Sequence, residues 1–259
     1  MTDQSQGPSD RKFAKTLARG LSVLRAFRAG DNGLTHRQIA ERTGLVGATV
    51  TRLTYTLCEL GYLSQQNGLY RLGPATTALG SVAAAASSFL DLAGAPMQAL
   101  ADATGTLALV AVRDGDRMLL AKTWRPQGTA SIWLEPGHRI PILGSSSGQA
   151  VLAALDDPRF EALRPDPALR DFRAHGFSQL VAQGFAITPD ALRYARTVNA
   201  VAVPYVAGDF GEPVAFTCGA LPDHLTRERM MAEVGPKLRD LVRDLERQTG
   251  TSSALARRG

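Results

Sequence analysis

Residues 34–72 read LTHRQIAERTGLVGATVTRLTYTLCELGYLSQQNGLYRL. Thr35 is placed to cap a short helix whose Ile39 and Ala40 face inward and which stops at Gly44. After the turn Gly44-Leu45-Val46-Gly47, Val50, Leu53, Leu57 and Leu60 recur at helical spacing and predict a helix over about 47–60, broken by Gly61. Two β-prone arms then flank Asn67-Gly68, the dipeptide that fits a two-residue hairpin turn. Upstream, Leu17, Leu21, Leu24 and Phe27 form one apolar stripe and predict a first helix over 14–29, ended by Gly30-Asp31-Asn32-Gly33. Helix, helix, tight turn, helix, hairpin is the order of a winged helix-turn-helix.

The rest of the chain has a different character. An alanine-rich helix at 75–93, with few large side chains (Leu79, Val82, Phe89), reads as a linker that packs on a second copy. Residues 94–104 continue helically after the Gly94/Pro96 interruption. Strands are predicted for TLALVAVRDGDRMLLAKTW (two, around a DGD turn), ASIWLEPG, GFAI, NAVAVPYV and PVAFTCGAL. Helices are predicted for SSGQAVLAAL, for two stretches within 158–182, and for 226–248 with Met230, Val234, Leu238, Leu241 and Leu245 on one side. This irregular mixture predicts an α+β domain built on an antiparallel sheet. The expected organisation is a tail at 1–13, a winged helix-turn-helix at 14–74, the linker at 75–93, an α+β domain at 94–250 and a tail at 251–259.

Composition bounds the function. The 259 residues are 44% hydrophobic and 20% charged, as in a water-soluble globular protein. Two cysteines, Cys58 and Cys218, cannot form a disulfide framework and suit a reducing cytoplasm. The polar start MTDQSQGPSDRKF is unlike a secretory signal, and no run approaches the roughly 18 apolar residues of a membrane span. Residues 1–90 hold ten Lys/Arg against five acids, an excess that equals the formal net charge of +5, while residues 91–259 hold nineteen of each sign. A cationic excess confined to the third that holds the expected winged module points to a polyanion, because neutralised phosphates release counterions.

On the third helix the apolar face leaves Ala48, Thr51, Arg52 and Tyr55 outward, with Thr49 beside them and no acid before Glu59. A long arginine there suits guanine O6/N7, and short Ala and Thr side chains suit thymine methyls. Arg37 and Gln38 on the preceding helix suit phosphates, as do Gln65, Gln66, Asn67 and Arg71 of the wing. Double-stranded operator DNA is the expected partner; structured RNA fits less well, since the module lacks aromatic stacking surfaces.

The segments ARGLSVLRAF, LTHRQIAERTGLVGATVTRLTYTLCELGYL and YRLGPATTALG resemble the amino-terminal module of the IclR family of bacterial transcription regulators. The likeness continues through GHRIPILGSSSGQAVLAAL, GFAIT and NAVAVPYVAGDFGEPVAF and covers about 14–248. It implies a carboxy-terminal GAF-like domain that binds a small organic effector, and dimers, often paired into tetramers. Carried over residue by residue, it places Ser145, Ser146, Cys218 and Ala220 around that effector. Ser147 of the same run precedes a helix start able to hold a carboxylate. Leu119 and Trp133 are candidate apolar walls, and Arg193 and Arg196 candidate partners of an anion; a small carboxylic or aromatic acid is the expected class. The chain departs from the family at Val46-Gly47-Ala48-Thr49, at Gln149 and around Arg193–Thr197.

Two other chemistries have partial signatures in the sequence. Gly144, Ser146 and Gly148 match the G-x-S-x-G elbow of serine hydrolases, with Asp190 and His224 following in order, but IPIL is a poor strand and no oxyanion segment precedes it. The four histidines are scattered and neither cysteine stands at ligand spacing, so no metal site or cofactor is expected.

Overall fold

The computed structural model describes residues 13–28, 30–85, 88–128, 131–206 and 211–251. The expected terminal tails lie mostly outside these residues. The chain divides into two compact units, Met1–Ala85 and Ala86–Gly259.

The first unit contains α1 (Lys15–Leu24), α2 (His36–Thr43), α3 (Gly47–Glu59), the hairpin β1 (Leu63–Gln66) and β2 (Leu69–Leu72), and α4 (Pro74–Ala85). A capping box starts α2: the Thr35 hydroxyl accepts from the Gln38 N–H, and the Gln38 side chain accepts from the Thr35 N–H at 2.8 Å. Gly44, at φ 68°, ends the helix in the left-handed conformation. Asn67 and Gly68 both take positive φ (53° and 76°), as the tight turn between paired arms requires. Leu34 adds a bridge to Tyr70, each N–H donating to the other carbonyl at 2.8 Å.

Val23, Leu34, Ile39, Val50, Leu57, Leu63 and Tyr70 form the core of this unit. The helical faces differ in detail from the sequence reading. α1 ends at Leu24 and buries Gly20 and Val23, leaving Leu17 and Leu21 62% and 49% exposed. On α3, Leu60 is exposed while Thr54 is buried, its hydroxyl donating to the Val50 carbonyl at 2.9 Å. Back-bonding to the preceding turn satisfies a hydroxyl in an apolar interface, so this polar residue takes a core position.

The second unit is built on a five-stranded antiparallel sheet in the order β5-β4-β3-β7-β6. Its strands are β3 (Leu107–Asp114), β4 (Arg117–Trp124), β5 (Arg139–Pro141), β6 (Asn199–Val206) and β7 (Pro213–Ala220). One face packs on α5 (Ser88–Thr104) and the carboxy-terminal helix, around the ring cluster Phe89, Tyr205 and Phe216; Phe89 and Tyr205 stack at 5.3 Å. The other face packs on α6 (Ser146–Ala154) and α8 (Pro167–Gln183), with α7 (Asp157–Glu161) between them in the chain.

Four expectations are corrected here. The helix beginning at Ser88 runs through Pro96 rather than breaking there, and Phe89, expected on a linker, is 2% exposed in the core of this unit. ASIWLEPG forms no strand in its described part: Ile132 and Leu134 turn inward and Trp133 outward, so the alternation is real but no neighbouring strand pairs with it. GFAI contributes only a bridge between Ala186 and Ala202. The closing helix starts as the α-turn α9 (Arg227–Arg229), passes through a π-turn (Met230–Val234) and continues as α10 (Gly235–Thr249). Met230, Val234, Leu238 and Leu245 are buried as expected, Leu241 packs at the edge of the same core and Val242 joins it; Pro236, which has no N–H, removes a bond of the regular ladder.

Close packing positions α6. A Cβ on Gly148 would lie 2.0 Å from the Ile142 carbonyl oxygen. Gly148→Ala is therefore expected to destabilise the second unit by about 3 kcal/mol, the scale of a severe overpacking, measured as the drop in its denaturant midpoint. Thr35→Ala removes half of the capping box and is expected to cost the first unit about 1 kcal/mol, read by the same measurement.

Candidate nucleic-acid interface and small-molecule cavity

α3 presents Ala48, Thr51, Arg52 and Tyr55 to solvent, with Thr49 half-buried behind them. Tyr55 is 66% exposed, an unusual outlay of aromatic surface for a residue with no packing role. Among the described residues no side chain pairs with Arg52, so its guanidinium is free to reach outward. Gln65, Gln66 and Asn67 lie exposed at the hairpin tip and Arg71 on its return arm.

The residues of α2 are more committed than the sequence suggested. The Gln38 carbonyl oxygen is used by the cap, accepting from both the N–H and the hydroxyl of Thr35. Arg37 donates to Glu41 at 2.8 Å, but both side chains are largely exposed and such pairs are weak in water, so Arg37 remains available to a phosphate. Arg42 holds the unit together by bridging Asp31 and the Ala26 carbonyl. Its hydrogen bonds hold the Asp31 carboxyl below the usual carboxylate range. His36, which the sequence reading did not single out, stands at the start of α2 with Nε2 2.9 Å from the Thr51 hydroxyl. Only its position directly after the cap residue hints at this role.

In the second unit a cavity lies between the sheet and the start of α6. Leu109, Leu120, Ile132, Leu134 and Ile140 form its apolar walls; Ser145, Ser146, Ser147, Thr188, Thr217 and Arg193 supply its polar groups. Each hydroxyl has a defined duty. Ser145 caps α6 by accepting from the Gly148 N–H at 3.1 Å. Ser146 donates to the Ala200 carbonyl at 2.8 Å and accepts from the Thr188 N–H at 3.1 Å. Ser147 and Thr217 share a hydrogen bond of 3.0 Å, which leaves one hydroxyl proton of the pair for a third group. The first-turn N–H groups of Ser146 and Ser147 have no partner within the helix and add positive potential.

Arg193 is brought to this place by Gly144. At φ 85° that residue lets the following segment approach so closely that a Cβ would lie 2.5 Å from the Leu192 carbonyl oxygen, and its own carbonyl accepts from Tyr194 N–H at 3.1 Å. One guanidinium nitrogen of Arg193 pairs with Asp190 at 3.2 Å. Its Nε and Nη1 are buried without a hydrogen-bond partner.

Five candidates fall elsewhere. Cys218 and Ala220 belong to the ring-cluster face of the sheet, because alternation along β7 turns Thr217 and Gly219, not their neighbours, to the cavity. Burial pushes the Cys218 thiol up to about 12. Leu119 pairs with Val112, which packs on that same opposite face. Trp133 is 71% exposed, with the Arg125 guanidinium stacked 3.3 Å from its ring centre. Arg196 is exposed and outside the cavity lining.

The hydrolase elbow is not formed. Ser146 is tied to backbone groups, Asp190 faces Arg193, and among the described residues no histidine reaches the serine run. The strand before α6 is a three-residue antiparallel edge. Among the described residues no group of three His, Cys, Asp or Glu is placed to hold a metal ion. No single helix is long and apolar enough to cross a membrane.

Comparison with known proteins agrees with this geometry. Residues 16–67 match the model of the IclR helix-turn-helix domain, and residues 84–247 that of the bacterial transcriptional regulator IclR C-terminal domain. The Pca regulon regulatory protein of Pseudomonas putida is 28% identical over 91% of this chain and 84% of its own. The crystal structure of an IclR family transcriptional regulator from Brucella abortus covers 95% of this chain and 96% of its own, at 31% identity and a TM-score of 0.72. An IclR homologue from Microbacterium hydrocarbonoxydans, crystallised with 4-hydroxybenzoate, shares the fold at 20% identity, with a TM-score of 0.63 and coverage of 88% of this chain and 99% of its own. The two matched domains, in this order and over most of the length, place the chain in the IclR family of bacterial transcriptional regulators.

Proposed function

We propose that this regulator binds a near-palindromic operator through α3 as a homodimer, and that a small organic anion in the cavity of the second unit changes its operator affinity. The observation that carries the effector reading is the buried, unpaired Nε and Nη1 of Arg193, which lines the same cavity as the start of α6; the first-turn N–H groups there have no partner within the helix. Leaving N–H groups of a cation buried without acceptors is costly. A carboxylate supplies two acceptor oxygens and the opposing charge at once. The apolar walls suit a hydrocarbon or ring attached to that carboxylate, and the Ser147–Thr217 pair suits a second polar group. The 4-hydroxybenzoate bound by the Microbacterium homologue has this chemistry, which supports an aromatic or other small carboxylic acid as the effector.

The dimer reading is supported by apolar surface on the first unit. Leu17 and Leu21 on α1 and Leu79 and Val82 on α4 are each about half or more exposed, and α4 buries no residue within the chain. Two-fold pairing presents two equivalent recognition helices, hence a near-palindromic site. By linkage, an effector that weakens operator binding is itself weakened by the operator to the same degree.

A thermal-shift screen against small carboxylates, 4-hydroxybenzoate included, tests the effector. A true ligand at about 100 times its Kd is expected to add about 2.7 kcal/mol of stability. Arg193→Met is expected to weaken that ligand by about 10- to 100-fold, the loss of a charged hydrogen bond. Equal affinity of the variant removes Arg193 from the site. Arg52→Ala is expected to lower operator affinity by about 1–3 kcal/mol at fixed salt and to relax the preference at one base pair. Unchanged affinity and preference in a filter-binding titration removes it from the reading set.

A further inference from the structure

Thr51 lies on the exposed face of α3, in the part of the helix that the recognition reading sends into the major groove. Its hydroxyl oxygen is 2.9 Å from His36 Nε2 and 3.1 Å from the Gly47 carbonyl oxygen. A threonine hydroxyl has one proton and two lone pairs, and a carbonyl can only accept. The contact with Gly47 therefore uses the Thr51 proton, and the contact with His36 is satisfied when Nε2 carries the imidazole proton and donates it. The ring is seated for this: its Cε1 stands 3.7 Å from the position a Cβ on Gly47 would take, an ordinary packing distance. Both hydrogen bonds are met in one arrangement, with the hydroxyl turned toward the backbone and toward α2.

We propose that His36 is a positioning residue for base reading: by donating to the Thr51 hydroxyl it holds the rotamer in which the hydroxyl proton goes to the Gly47 carbonyl, so that no free proton donor is left and Thr51 reads a thymine through its C5-methyl. The inference rests on α3 being the recognition helix. It follows from the edges that bases show in the major groove. Guanine presents only acceptors there, N7 and O6, and a Thr51 without a free proton gives them nothing. Thymine presents a methyl, for which an apolar contact suffices. The remaining lone pair of Thr51 is open to an amino group of adenine or cytosine, and the test separates that outcome.

The full-length protein is used to select its operator from random duplexes. Each thymine of the selected site is then replaced in turn by deoxyuridine, which lacks only the C5-methyl. One replacement is expected to weaken the wild type by about four-fold, the worth of one buried methyl. Thr51→Val keeps a methyl and should keep that penalty; Thr51→Ser should lose it. His36→Ala should shrink the penalty and admit guanine at the same base pair, with preferences elsewhere unchanged. His36→Gln retains an N–H donor of similar reach and should restore the preference. Damage to the fold is separated by melting each variant, and it lowers affinity at every position alike.

The proposal is overturned if no deoxyuridine position responds to residue 51, if the contact proves to be with an adenine or cytosine amino group, or if His36→Ala leaves the single-position penalty intact. Should Arg52→Ala weaken binding while the Thr51 and His36 variants behave as wild type, α3 reads DNA and only the role of His36 fails. Should all of them bind as wild type, or no sequence be enriched, the recognition reading fails with it.

Discussion

All eight residues of β7 are buried, with Phe216 and Cys218 packed into the ring cluster on one face and Thr217 and Gly219 turned toward α6 on the other. The cavity lining of the second unit depends on this double burial. Because the sheet is covered on both sides, each strand must serve a core and a cavity wall in alternate residues. The first turn of α6 lines the cavity and lies so close to the segment that precedes it that Gly148 admits no side chain, a Cβ there meeting the Ile142 carbonyl. Ser146 extends the same restraint sideways by joining α6 to β6 through Ala200 and to the segment before it through Thr188.

The first unit is held differently. Its stability is local: a capping box, a left-handed glycine, a tight turn and one interior of seven large side chains. The ion pair between Arg42 and Asp31 closes the loop between α1 and α2 where apolar residues are scarce. Such a unit can present short side chains at the start of α3 because nothing there is needed for the core. The same freedom allows a histidine at the start of α2 to reach across to Thr51.

The winged unit was therefore largely legible in the sequence. Cap, helix spacing and Asn67-Gly68 each act within a few residues, and the elements they specify appear within a residue or two at α2, α3 and the hairpin. The cavity was legible only in part. Ser145, Ser146, Ser147 and Arg193 are gathered there, but a strand buried on both faces carries no polar alternation, so nothing in PVAFTCGAL tells which residues face α6. Cys218 and Thr217 are one residue apart and on opposite sides of the sheet. Trp133 was misplaced for a related reason: its segment alternates like a strand, yet its partner is the Arg125 guanidinium rather than a neighbouring backbone. At the junction of the π-turn and α10, Gly235 lies against Phe185, a contact distant in the chain that the local pattern does not announce.

The unsatisfied guanidinium nitrogens of Arg193 also bear on how this protein can evolve. Under the proposed effector reading, Arg193 costs stability by itself and gains a partner with the anion, which sets resilience against sensitivity at a single position. On that reading, replacements that remove these unpartnered nitrogens would be favoured wherever endurance alone is selected, for instance under heat, and would silence the proposed response as they spread. Retention of an arginine at this site across a lineage would thus mark continued use of the signal rather than any need of the scaffold.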